Sequence, residues 1–136
     1  MQQFKQFSDI GDLSKPARLI VILKGEAKTH QIAREGIYNN GPISVNNKPH
    51  WIQEHGENAI WGDKDKSSWR IGRWANLGKD MCGLFSYQTF EATHQLPHNV
   101  TGWKYYSNHW IKADDMITVK VFGKYFLYVN CYKNNQ

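Results

Sequence analysis

The side chains able to do acid–base, nucleophilic or metal chemistry are few, and their spacing assembles none of it. His94 and His98 stand four apart, the interval that places two ligands on one helical face, but Pro97 between them breaks any helix. His30, His50, His55 and His109 are scattered, and neither Cys82 nor Cys131 has a neighbour at metal-ligand spacing. No metal and no cofactor is expected. A Cys–His nucleophile pair would need one of these two thiols beside a histidine. Cys131 alternates with Leu127 and Val129 on an apolar strand face, where a free Cys behaves as a small hydrophobe. Cys82 precedes Gly83 at a turn and is the better nucleophile, yet nothing local lowers its pKa. Asp63 with Asp65 and Asp114 with Asp115 sit in turns, where an Asp usually bonds its own backbone. Glu54 and Glu57 flank Gly56 in a polar loop that gives a carboxylate little reason for a raised pKa. A phosphate-binding glycine loop, a nucleophile elbow and a zincin helix are all missing. The expectation is a protein that is not an enzyme.

The aromatic residues point to recognition instead. Six Trp and seven Tyr occur in 136 residues, and such rings supply large contact area at low entropic cost while keeping a polar edge. On an extended segment over 69–74, Trp69, Ile71 and Arg73 face one way and Arg70, Gly72 and Trp74 the other, so one Trp is core and one exposed. Trp103 and Tyr105 alternate in the same way with Lys104 and Tyr106. The rings outnumber what one core takes comfortably. The candidate ligand-binding set is therefore Trp51, Trp61, Trp74, Tyr105, Tyr106 and Trp110, with Arg70, Arg73, Lys104 and His109 as polar neighbours.

Positioning these rings falls to short strands. At 136 residues the chain makes one domain around one core. Residues 18–24, Arg-Leu-Ile-Val-Ile-Leu-Lys between Pro16 and Gly25, predict a strand buried on both faces at the centre of that core. Residues 27–35 predict a turn or two of helix before Gly36 returns the chain to extended structure. Turn signals then recur at 39–42, 46–49, 55–58, 63–68 and 76–78, with strands expected near 43–45, 50–53, 59–61, 69–74 and 83–87. Residues 89–101 lack alternation and hold Pro97, which predicts a long loop of the functional kind. Strands follow at 103–107 and 109–112 around Asn108, and at 117–122 and 125–132 around Gly123. The fold class is all-β, a single antiparallel meander forming a closed or partly open small barrel with at most one short helix. Residues 1–17 form a leading arm, 18–132 the β domain and 133–136 a polar tail.

The order Gly36-Ile-Tyr38, Val45-Asn-Asn-Lys-Pro49-His-Trp51, Ile60-Trp61, Trp69-Arg-Ile71-Gly72, Gly78, Pro97, Gly102-Trp103 and Asp115-Met-Ile117-Thr-Val119 resembles an uncharacterised repeat of invertebrate and protist proteins. Its consensus runs Gly-x-Tyr, Asn-Gly-Arg-Pro-x-Tyr, Leu-Tyr-Trp, Trp-x-Ile and Gly-Trp. The likeness spans residues 19–121 and departs from the consensus at Asn47-Lys48 and Trp51, changes that keep a turn and an aromatic. The resemblance implies a β domain and carries no catalytic residue or cofactor.

The formal charge is +5, from 17 Lys and Arg against 12 Asp and Glu, but the basic residues are dispersed. Even the densest stretch, Lys64, Lys66, Arg70 and Arg73, includes Asp63 and Asp65. The longest apolar run, 19–23, is too short to span a bilayer, and residues 1–9 lack a secretory h-region, so the expected location is the cytoplasm. There Cys82 and Cys131 stay thiols and Asn99-Val-Thr101 stays unglycosylated; secretion would allow one bridge and one glycan. The function expected is a binding module recognising a protein partner or another copy of itself through its aromatic surface. The alternative is stacking recognition of single-stranded nucleic acid or glycan, with basic side chains beside the rings.

Overall fold

The structure is a computed structural model that describes residues 15–64, 68–87 and 95–123. Among these, nine strands form one antiparallel sheet: β1 (Arg18–Leu23), β2 (Gly36–Asn40), β3 (Trp51–Gln53), β4 (Asn58–Gly62), β5 (Trp69–Arg73), β6 (Leu84–Ser86), β7 (Trp103–Tyr106), β8 (Trp110–Lys112) and β9 (Ile117–Val121). Their spatial order, β8-β7-β6-β5-β4-β3-β2-β1-β9, is a meander in which only β9 leaves sequence order, crossing to pair with β1. The sheet curls into a half-barrel. This is the all-β, partly open meander expected from the turn pattern. No helix of the described residues is long and apolar enough to cross a membrane.

Curling gives the sheet an inner face that holds the core. Directly paired residues share a face, and the register aligns Trp51, Ile60, Ile71, Leu84 and Tyr105 across β3 to β7. All five are buried. Leu19, Val21 and Leu23 extend the inner face through pairing with Val121, Val119 and Ile117. Trp51 and Trp69 meet edge to face at 6.0 Å between ring centroids, and each indole N–H finds a backbone carbonyl, Pro16 O at 2.9 Å and Gln95 O at 3.0 Å.

The single α-helix among the described residues, α1 (Gly25–Gln31), is seven residues long, too short to persist without tertiary support. That support is a buried Ala27, a His30 ring stacked on Tyr105 at 5.8 Å, and a hydrogen bond that Gln31 Nε2 donates to Tyr106 O at 2.8 Å. A 3-10 turn, Ile32–Arg34, follows and is fastened to the sheet by buried amides. Gln53 Nε2 donates to the carbonyls of Ala33 and Glu35, Asn58 Nδ2 donates to Ala33 O and Gln53 Oε1, and Arg34 Nη1 donates to Asn58 Oδ1 at 2.6 Å. Beside this network the Tyr38 hydroxyl donates to Arg34 O at 2.6 Å, and burial pushes the phenol well above its ordinary pKa.

Several local expectations are corrected. β1 is not buried on both faces and lies next to one end of the sheet: Leu19, Val21 and Leu23 are inside, whereas Ile20 is half-buried and Ile22 exposed. A single curled layer covers only one side of such a strand. The strand expected at 43–45 reduces to one bridge between Val45 and Lys48, because Asn46 and Asn47, both at positive φ (56° and 64°), close a two-residue turn at once. Of the long loop expected at 89–101, residues 95–101 serve packing, with Pro97 and Val100 buried in a segment that includes the 3-10 turn Pro97–Asn99. Residues 88–94, the predicted strand at 125–132 and the Cys131 thiol lie outside the described residues.

The doubly buried strand is β4, every residue of which is buried. Its outer face is roofed by residues 74–82: Trp61 donates its indole N–H to Lys79 O at 3.0 Å, and Asn46 Nδ2 ties Gly62 O to Gly78 O. Gly72 makes room for that roof, since a Cβ there would stand 2.8 Å from the Cys82 backbone and 3.3 Å from the Trp61 ring. Gly72→Ala is expected to lower unfolding free energy by about 1–3 kcal/mol through overpacking, measured by urea denaturation with an unchanged m-value.

Candidate functional site

The register that buries Tyr105 turns its neighbours outward. On β7 and β8, Lys104 lies opposite Lys112 and Tyr106 opposite Trp110, while on β5 and β6 Arg70 lies opposite Phe85, which in turn faces Lys104. The outer face of β5 to β8 thus carries Arg70, Phe85, Lys104, Tyr106, Trp110 and Lys112, with Tyr87 just past the end of β6. The rings touch: Tyr106 and Trp110 meet edge to face at 5.3 Å, Trp110 and Phe85 at 5.7 Å, and Phe85 and Tyr87 stack at 6.1 Å. They are also accessible, with Trp110 37%, Tyr87 38% and Tyr106 44% exposed. The roof that covers Trp61 does not extend over them.

Arg70 anchors one end of the strip. Its guanidinium sits 4.3 Å from the Phe85 ring centroid, a cation–π contact. The same group donates from Nε to Asp63 Oδ1 at 2.7 Å, from Nη2 to Asp63 Oδ2 at 3.3 Å, and from Nη1 to Asp80 O at 2.8 Å and Cys82 Sγ at 3.4 Å. Arg70 is therefore a fixed, largely neutralised wall behind Phe85. Burial opposes ionisation of Asp63, but the hydrogen bonds from Arg70 and Ser68 outweigh it and hold the carboxyl below its ordinary range.

The candidates for chemistry are occupied elsewhere. Burial pushes the Cys82 thiol up despite the pull of Arg70, so it is not an activated nucleophile. Asp63 accepts from the Ser68 hydroxyl across its own 63–68 turn and is in addition the counter-ion of Arg70. Asp114 bonds not the backbone of its own turn but that of a distant segment, accepting from Gly102 N and Trp103 N at 2.9 and 2.8 Å to fix the start of β7. Glu54 is held below its ordinary range by hydrogen bonds from Asn39 and Arg18, the reverse of what a general acid needs. Glu57 is exposed and meets Arg73 at 3.6 Å. No three His, Cys, Asp or Glu side chains converge to hold a metal among the described residues. His94 and Asp65 lie outside them.

Of the sequence-predicted set, the structure brings together Arg70, Lys104, Tyr106 and Trp110. It removes Trp51, Trp61 and Tyr105, all buried: the first and last line the inner row, and the second lies under the roof. Arg73 and Trp74 are exposed, at the end of β5 and in the 3-10 turn Trp74–Asn76, and Trp74 has no ring contact with the strip among the described residues. His109 is exposed in the β7–β8 turn, where its carbonyl accepts from Ser107 N and Asn108 takes φ 66°. Sequence reasoning missed Phe85, Tyr87 and Lys112. The signal for Lys112 was present, because a hairpin closing at Asn108 pairs 104 with 112 and 106 with 110. For Phe85 and Tyr87 none was, since their neighbours come from strands far along the chain.

Comparison with known proteins gives no match: no family model, no curated protein and no solved structure matches the chain.

The depressed Asp63 carboxyl contributes stability that is present in full above the unfolded-state pKa near 3.9 and lost as pH falls through its lower folded-state value. Asp63→Asn is expected to remove that part of the acid-side decline, so wild-type and variant stabilities converge as pH falls below about 4, read by urea denaturation across pH 2–7.

Proposed function

We propose that the protein is a non-enzymatic binding module and that the outer strip of Phe85, Tyr87, Tyr106 and Trp110 is its recognition surface. The observation that carries this is a set of touching, accessible rings on a sheet whose core is already filled from the other face. Scattered exposed rings are ordinary, but a contiguous cluster is the form that binding anchors take. The potential nucleophile and the carboxylates beside this region are engaged in structural contacts, which supports a binding role over catalysis.

The strip also has the rigidity that recognition favours. Phe85 is backed by Arg70, Tyr106 and Trp110 brace each other across a hairpin, and Gln31 of α1 holds the Tyr106 carbonyl from the side. Rings fixed in this way lose little conformational freedom when a ligand covers them. The expected partner is a macromolecule that presents planar or apolar groups in an extended arrangement.

An array of peptides, glycans and short oligonucleotides probed with the full chain tests this reading. Ligands are expected whose binding weakens by about 2 kcal/mol or more in a Tyr106→Ala/Trp110→Ala double variant. Its unfolding free energy is expected to fall by less than about 2 kcal/mol, since both side chains are exposed. Binding that survives the double replacement would overturn the assignment.

A further inference from the structure

The charges among the rings narrow the ligand, provided the recognition strip proposed above is correct. Lys104 and Lys112 are direct cross-strand neighbours on the outer face, and neither forms an ion pair among the described residues. The outward positions of β5 to β8 carry no acidic side chain; the two nearby carboxylates, Asp63 and Asp80, both face Arg70, at 2.7 and 3.8 Å. Like charges placed directly opposite destabilise a strand pair. Lys112 by itself would be an ordinary device for blunting β8, the outermost strand at this end among the described residues. That explanation does not reach Lys104, which sits on β7 between two paired neighbours.

We infer that the strip binds single-stranded nucleic acid, with bases stacked on Tyr106 and Trp110 and the intervening phosphate met by Lys104 and Lys112. Aromatic faces accept any base, and ammonium groups beside them are the complement of the connecting phosphodiester. A neutral protein segment would satisfy the rings equally but would force two adjacent lysines out of water without compensation, and Lys is depleted from the cores of protein interfaces. A duplex is a poor fit because its bases are already stacked on one another, leaving only backbone contact for the lysines. Arg70 contributes little net charge and serves to position Phe85, the platform next to Trp110.

The test is fluorescence anisotropy of labelled single-stranded RNA and DNA about 8 nucleotides long, titrated with the full 136-residue chain at several salt concentrations, with a duplex control. Expected are micromolar affinity for the single strands, weaker duplex binding and quenching of tryptophan fluorescence. Lys104→Gln/Lys112→Gln should flatten the slope of log K against log salt by about 0.7, the contribution of the one single-strand phosphate that is no longer neutralised. Tyr106→Ala/Trp110→Ala should weaken binding about tenfold or more at fixed salt while leaving that slope in place. Absence of single-strand binding at low salt, equal affinity for duplex, or a salt slope unaltered in the lysine variant would overturn the nucleic-acid inference. If peptides or glycans still bind in a manner sensitive to Tyr106 and Trp110, the recognition strip stands and only its ligand class falls; if nothing does, both fall.

Discussion

Cross-strand register is the constraint on which the rest of this structure depends. The row Trp51–Ile60–Ile71–Leu84–Tyr105 places one large apolar side chain from each of five consecutive strands on the concave side of the sheet. Because strand side chains alternate, the same register fixes what emerges on the convex side. A slip of one residue in β7 would bury Lys104 and Tyr106 and expose Trp103 and Tyr105. The cost of burying a charged ammonium without a partner rules that alternative out. Core and surface strip are therefore two consequences of one pairing scheme.

Among the described residues, the two ends of the outer face differ because only one of them is roofed. Over β4 and β5 the segment 74–82 folds back, held by the Trp61 indole and the Asn46 amide, and Gly72 supplies the space it needs. Over β6 to β8 the face is left to Phe85, Lys104, Tyr106, Trp110 and Lys112. Arg70 marks the border between these regions, buried enough to need Asp63 and exposed enough to reach the Phe85 ring. The Cys82 sulfur, which by its residue type invites a chemical reading, accepts a hydrogen bond at this border, and its burial makes the thiol less acidic.

Polar groups elsewhere show the same economy. The amides of Gln53 and Asn58 lie on the inner face yet are fully engaged with the 3-10 turn after α1, so a short helix with no side-chain cap is held in place by the sheet rather than by its own propensity. Both amides need these partners, because an unpaired buried amide costs more than the bond it would have made. The helix so held packs on β7 through the His30 ring on Tyr105 and brings Gln31 to the Tyr106 carbonyl, linking the core's closure to the strip's geometry.

The sequence by itself determined the all-β meander, the turn at Asn46-Asn47, the split of Trp69 and Trp74 into one buried and one exposed ring, and the alternation that sets Trp103 and Tyr105 against Lys104 and Tyr106. Each of these follows from local chemistry: residues that tolerate positive φ, and a side-chain period of two. It does not say which of two faces is inside, which is why Trp51 and Tyr105 are buried against expectation, nor that a segment covers Trp61 on the outer face. Nor could it show that residues 74–82 roof β4, that Asp63 belongs to Arg70, or that Phe85 and Tyr87 join Trp110 from a strand that begins 26 positions earlier in the chain. Those facts arise from contacts between distant segments, which the curl of the sheet creates and which leave no periodic trace in the chain.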